Sequence, residues 1–205
     1  MRHTIQAEGF GVRLRPVRIV DAAFIVWLRN QDYVKGRVGD SAPDVAGQRA
    51  WLETYFTREG DYYFIVETLE GIPLGTYGIY NVKGDGGESG RWIIRLGVPA
   101  AIPSAVVLLD TAFNRLSLRE VHGSTVVSNQ SVLSINRKFG FRQTGIQPAA
   151  HVIGGKAVDL VHFSMLSEDW SKARERLLPL ARLAETQVLE WEREYSRNEV
   201  CSGTE

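Results

Sequence analysis

Moving a proton near neutral pH needs a carboxylate or an imidazole held close to its target. The sequence offers Glu88, in the run Glu88-Ser89-Gly90-Arg91-Trp92, and four imidazoles at His3, His122, His151 and His162. The histidines show no close metal-ligand spacing such as HExxH, and one cysteine rules out a multi-cysteine zinc cluster, so no metal is expected. That cysteine, Cys201, lies in a polar tail and is a poor nucleophile candidate. Arg29, Arg91 and Arg95 are suited to phosphate, because a guanidinium fork matches phosphate oxygens. Trp51 and Trp92 have flat faces that can stack on a base or a sugar ring.

The rest of the composition narrows the partners. Lys plus Arg and Asp plus Glu each number 24 in 205 residues, so the formal net charge is zero. A dedicated nucleic-acid binder would show a basic excess, and no nucleic-acid partner is expected. No apolar run reaches the roughly 18 residues of a membrane span. The start, Met1-Arg2-His3-Thr4-Ile5, carries no apolar signal core, and the cytoplasm is the expected compartment. A chain that is 44% hydrophobic has enough apolar material for a core without a disulfide or metal.

These side chains need elements to position them. Alternation at 12–17 predicts a strand, and 20–30 a helix capped by Asp21 with Phe24, Ile25 and Leu28 on its apolar face. A second helix is predicted over 44–57. Strands follow at 62–68 and 73–80, joined at Glu70-Gly71, then a flexible loop at 83–87 and a strand at 91–96. In that strand Arg91, Ile93 and Arg95 would share one side and Trp92, Ile94 and Leu96 the other. A helix opens at Pro103-Ser104 and runs to 117. A strand at 120–127, a short helix at 130–139, and strands at 142–152 and 156–166 complete the series.

From Glu168 to about Asn198 the pattern is helical. Leu177, Leu180, Leu183, Ala184, Val188 and Trp191 read as mostly one stripe, and Pro179 predicts a kink or a division. The tail either packs on its own domain or builds an oligomer interface, and a homodimer is one expectation. The order predicts an α/β class fold of mixed α+β type. Its central twisted sheet is mostly antiparallel, with one parallel pair and helices on both faces.

The segment Asn129-Gln130-Ser131-Val132-Leu133-Ser134-Ile135-Asn136-Arg137-Lys138-Phe139-Gly140-Phe141 resembles the GNAT superfamily's Asn-rich helix ending in a Lys-x-Gly-Phe turn. Asn129 can cap that helix or bind a ligand's amides, and Gly140 can stop it in the left-handed conformation. The region 91–118 is similar to the family's strand, loop and helix. The resemblance implies that this strand splays from the next parallel one, so that acetyl-CoA's pantetheine can bind in the gap. Leu96, Gly97 and Val98 would be its strand end. Ile102, Ser104, Ala105 and Val106 would receive the pyrophosphate at the helix start. The family's Gln/Arg-x-x-Gly-x-Gly/Ala loop is replaced here by Pro99-Ala100-Ala101-Ile102-Pro103-Ser104-Ala105, with no glycine and no basic residue. The tyrosine many members use to protonate the leaving thiolate is replaced by Asn136, which can donate a hydrogen bond but not deliver a proton.

Trp27-Leu28-Arg29-Asn30 resembles a segment of the nucleotide-sugar N-acetyltransferases of the pseudaminic-acid pathway type, as does the approach Glu88 to Trp92. The resemblance covers about residues 10–166, giving an acyltransferase domain over 1–166 and a helical extension with a disordered end over 167–205. It implies acetyl transfer from acetyl-CoA to a small-molecule primary amine, expected on a nucleotide-linked amino sugar, by direct attack. Glu88 is the candidate base and Asn136 the candidate donor to the leaving group. Asn129 is expected to bind the cofactor, and Trp27, Arg29, Asn30, Arg91 and Trp92 the acceptor. Acetylation of peptide N-termini, or a fold that has lost catalysis and serves as a binding module, are the alternatives.

Overall fold

The computed structural model describes residues 2–38, 42 and 44–202, without the side chains of 199–202. Among the described residues the strands are β1 (Ala7–Gly9), β2 (Val12–Pro16), β3 (Tyr62–Thr68), β4 (Pro73–Lys83), β5 (Gly86–Ile94), β6 (Glu120–Val126), β7 (Arg142–Ile153) and β8 (Lys156–Leu166). The helices are α1 (Ala22–Arg29), α2 (Val45–Tyr55), α3 (Ala101–Asp110), α4 (Gln130–Phe139) and α5 (Ser167–Ser202). One sheet holds all the strands in the order β1-β2-β3-β4-β5-β6-β8-β7. Every neighbouring pair is antiparallel except β5 with β6. The predicted mixed α/β sheet with one parallel pair is therefore the observed one.

Helices cover both faces. On one, α1 and α2 bury Ile25, Leu52 and Tyr55 against Tyr63 and Ile65 of β3. On the other, α3 contributes Ala105, Val106, Leu108 and Leu109 to the main core, which Phe64, Val66, Phe139 and Leu177 share. Burying a large aliphatic or aromatic side chain is worth about 1.5–3 kcal/mol, so these two faces hold the layers together.

Several elements depart from expectation. β1 was hidden because it has three residues, too few to show alternation; Phe10 and Gly11, both at positive φ, reverse the chain into β2. Asp21 does not cap α1 with its side chain. Its carboxylate instead accepts from the Arg18 backbone N–H at 2.6 Å and from Arg15 at 2.8 Å. The loop expected at 83–87 contracts to a turn at Gly84-Asp85, and β5 begins at Gly86. It ends at Ile94, so Leu96 and Gly97 lie in a turn beyond it, where Gly97 takes a φ of 82°. α3 starts at Ala101, three residues before Ser104. Pro103 fits in that first turn because an N–H there lacks an intrahelical partner anyway.

The C-terminal segment is one helix, unbroken at Pro179. Its buried stripe is Trp170, Ala173, Leu177, Ala181, Ala184 and Val188, spaced three and four residues apart. Leu180 and Leu183 fall off that stripe, at 45% and 61% exposed. α5 packs on α3, and Asp110 ties the two by accepting from the Trp170 indole at 2.9 Å and the Arg174 guanidinium at 2.8 Å. The Cys201 side chain lies outside the described residues. Among the described residues no helix is long and apolar enough to cross a membrane.

Candidate active site

The parallel pair is short. β5 and β6 join only at Gly86–Glu120, Gly87–Val121 and Glu88–His122. β6 then stays with β8 as far as Val126, and β5 stays with β4 as far as Ile94. The two strands therefore part just after Glu88, each held by its outer neighbour. Gly123 marks the crotch: a Cβ there would sit 2.7 Å from the Ser89 carbonyl oxygen. Beyond it residues 89–94 have no strand partner on the β6 side, and the Arg91 and Ile94 carbonyls accept from Thr76 Oγ1 and the Tyr33 hydroxyl. A cavity of about 540 Å³ opens at this place, reached by Glu88, Trp92, Thr125, Asn129 and Asn136.

A bulge in β5 aims its side chains. The register jumps from Gly78–Gly90 to Thr76–Ile93, so two residues oppose Tyr77. Arg91 takes a φ of 56° there, and Thr76 Oγ1 donates to its carbonyl at 2.7 Å. The predicted alternation survives from 91 to 94. Arg91 turns to the α2 face, with its guanidinium 4.4 Å from the Tyr80 ring centroid and 5.1 Å from that of Tyr63. Trp92 turns to the opposite face and stacks on Tyr77 at 5.0 Å.

The two arginines expected of this strand are both held by other groups. Arg91 lines the cavity, with its guanidinium locked to Asp61 by two bonds of 2.5 and 2.9 Å, so its charge is already matched. Arg95 lies past the strand end, 5.3 Å from the Trp27 ring and 5.1 Å from that of Tyr195. Arg29 does line the cavity, beside Trp51 and Tyr63. Burial, and then the nearby Arg91 charge, lower its pKa.

Glu88 is positioned from the neighbouring strand. Its Oε1 accepts from the Tyr80 hydroxyl at 2.9 Å and its Oε2 from the Asn81 amide at 3.0 Å. Burial, then the Glu88 charge, pushes the Tyr80 hydroxyl pKa up, which keeps it protonated as a donor. Tyr77, pushed up to about 12 by burial, also remains neutral. Across the cavity Asn136 is buried, and its Nδ2 has no hydrogen-bond partner. A buried amide hydrogen without an acceptor costs about 1–3 kcal/mol. Asn129 also reaches the cavity, but its side chain caps α4 by accepting from the Val132 N–H at 3.5 Å.

Other expected site residues lie elsewhere. Trp27 is 45% exposed, stacks on Phe24 and does not line the cavity. The Asn30 amide donates back to the Val26 carbonyl at 2.9 Å. Ser104, Ala105 and Val106 have no exposed surface, and Leu96, Gly97, Val98 and Ile102 do not line the cavity. The Ser104 hydroxyl is not free: it donates to the Ala101 carbonyl at 3.0 Å and accepts from the Trp92 indole at 3.3 Å. Among the histidines only His151 reaches the cavity, from the β7–β8 hairpin. Tyr80 and Asn81 escaped the sequence reading. Their signal was the hairpin register that sets Tyr80 directly opposite Glu88.

Residues 12–142 match the family model for an acetyltransferase (GNAT) domain. The chain belongs to the GNAT acetyltransferase family. No curated protein matches the sequence. Among solved structures, this GNAT chain is similar to a GCN5-related N-acetyltransferase from Brucella melitensis, with TM-score 0.75, 19% identity and 87% and 86% of the two chains covered. It is also similar to Mycobacterium smegmatis RimJ in complex with CoA-disulfide, at TM-score 0.75, 21% identity and coverage of 87% and 96%. A third is FdhC, a nucleotide-linked sugar GNAT, at TM-score 0.68, 25% identity and coverage of 89% and 98%. Acetyl-CoA is the family's donor. The parted strands and the orphan Asn136 amide suit its arm, whereas the start of α3 has no basic side chain for its diphosphate.

Proposed function

We propose that this protein transfers an acetyl group from acetyl-CoA to a primary amine, expected on a nucleotide-linked amino sugar. The parting of β5 and β6 at Glu88 carries this reading. It leaves a row of backbone groups beside a carboxylate and an orphan amide, the parts that acyl transfer needs.

Acetyl-CoA supplies a thioester whose sulfur leaves with a pKa near the free-thiol value of about 8.5. The gap of 89–94 holds the arm, and a backbone N–H there polarises the carbonyl. Glu88, fixed by Tyr80 and Asn81, accepts the proton that the attacking amine must lose. The amine nitrogen bonds to the carbonyl carbon, the carbon–sulfur bond breaks, and the thiolate leaves with a hydrogen bond from Asn136 Nδ2. No acyl-enzyme forms.

The acceptor would enter from the Arg29 side, where Trp51 and Tyr63 present flat faces beside a guanidinium. That pairing suits a nucleotide-linked sugar, and FdhC is a neighbour with such an acceptor. The acyltransferase unit is read as 1–166, with α5 as an extension packed on it and a homodimer as the open oligomeric reading. The site as described needs no metal.

The test is thiol release from acetyl-CoA against a panel of nucleotide-linked amino sugars, free amino sugars and peptides. Turnover on the first group supports the proposal. Turnover on peptide N-termini alone moves the protein to the peptide branch. CoA binding without any turnover marks a binding module.

A further inference from the structure

The two ends of the donor site are built unequally. The slot between β5 and β6 is parted and furnished with the unpartnered Asn136 Nδ2. The start of α3, where a diphosphate would sit, is poor in donors. Of the N–H groups in that turn, Pro103 has none and Ser104 N already donates to the Ala100 carbonyl at 3.0 Å. The Ser104 hydroxyl is spent between Ala101 and Trp92. The Ala100, Ala101 and Ile102 amides are left by position.

Residues 96–114 supply no cation of their own, having no Lys, Arg or His. Arg95, just before, is turned away onto the Pro73 carbonyl at 3.4 Å and onto the rings of Trp27, Trp191 and Tyr195. Leu96, in the turn between β5 and α3, is 78% exposed and apolar.

We infer that this site recognises its acyl donor through the pantetheine arm, with the nucleotide adding little, so that thioesters of the bare arm serve as donors. This rests on the proposed acyl transfer and adds a donor class to it. The bond changes are the same: the amine displaces the arm's thiol from the acyl carbon, and the proton leaves through Glu88. A charged donor to a phosphate oxygen ordinarily adds roughly ten-fold or more in affinity. With three neutral amides and no cation from residues 96–114, the charge-assisted part of that gain is forfeited.

The test is equilibrium binding by calorimetry of CoA and of pantetheine to the full chain, at 50 and 500 mM salt as rough settings for strong and weak charge screening. The expected result is a pantetheine Kd within about ten-fold of that of CoA, and a CoA Kd that moves less than about three-fold with salt. Acetyl-pantetheine should then support turnover at a similar fraction. Pantetheine binding more than about 100-fold weaker than CoA, or a steep salt dependence for CoA, overturns the inference and leaves acetyl transfer standing. Failure of both ligands to bind removes the acyl-transfer reading itself. As a control on the geometry, Leu96→Arg adds a cation at an exposed position in the turn before α3. It should tighten CoA and leave pantetheine unchanged; equal effects on both contradict the assignment.

Discussion

The Tyr80 hydroxyl donates to Glu88 Oε1 at 2.9 Å, at the pair of residues after which β5 and β6 separate. One tyrosine on β4 thereby fixes the carboxylate at the crotch of the gap, where an attacking amine would meet a thioester. Glu88→Gln keeps the shape and removes the base. Its kcat should fall about 100-fold or more, the usual contribution of a positioned base, while CoA affinity by calorimetry stays put. Tyr80→Phe should fall less and shift the pH profile of kcat/KM. Unchanged kcat in Glu88→Gln sinks the assignment.

Asn136 Nδ2 is buried without a partner, beside the cavity. Asn136→Leu removes the orphan donor at similar volume. Its Tm is expected to hold or rise while turnover drops about ten-fold, the value of one hydrogen bond to a developing charge. A lower Tm with full turnover would show that the amide serves the fold alone.

Arg91 and Asp61 form a buried ion pair, with side chains 17% and 6% exposed. Removing one partner of such a pair leaves an uncompensated charge and costs about 3–5 kcal/mol. Asp61→Asn should therefore lower stability by that order in urea titrations. The double change Arg91→Met with Asp61→Leu should lose less than the single one. Additive losses would show that the pair is not coupled.

Leu177 is buried in the α5 stripe, while Leu183 is 61% exposed. Leu177→Ala should cost about 2–5 kcal/mol, and Leu183→Ala no more than about 0.5. Equal effects would mean that α5 faces its domain differently from the structure described.

His3 sits against the Tyr62 and Phe64 rings, with Nε2 3.1 Å from the Tyr63 carbonyl and Nδ1 buried and unpartnered. Burial lowers its pKa, more than the Tyr63 carbonyl and Asp61 raise it. The unfolded chain then binds a proton more readily than the folded one. Stability is fully present above the unfolded value near 6.5 and is lost as pH falls through the lower folded value. Denaturant titrations from pH 7.5 to 5.5 should show this decline, and His3→Leu should flatten it. An unaltered slope in the variant rejects His3 as its source.

What the sequence disclosed was local. Asn129, Gly140 and the apolar positions between them define α4 through caps and period, with no need of distant partners. The β5-α3-β6 order likewise followed from length and pattern. The site itself depends on register. That Tyr80 meets Glu88, that Asp61 occupies Arg91, and that Trp92 takes up Ser104 are contacts between residues 8, 30 and 12 positions apart. Nothing in their spacing marks those pairs. Of the Trp27–Asn30 segment, Arg29 lines the cavity and Trp27 and Asn30 do not, a division that local sequence does not mark. Leu180 and Leu183 fit a loose apolar stripe that the tighter one through Ala181 and Ala184 displaces.

The most direct test is an experimental structure with CoA bound. The arm is expected between residues 89–94 of β5 and 123–126 of β6, with the sulfur within hydrogen-bond reach of Asn136 Nδ2 and facing Glu88. An arm bound outside that gap, or strands that close over it when CoA is present, would contradict this expectation.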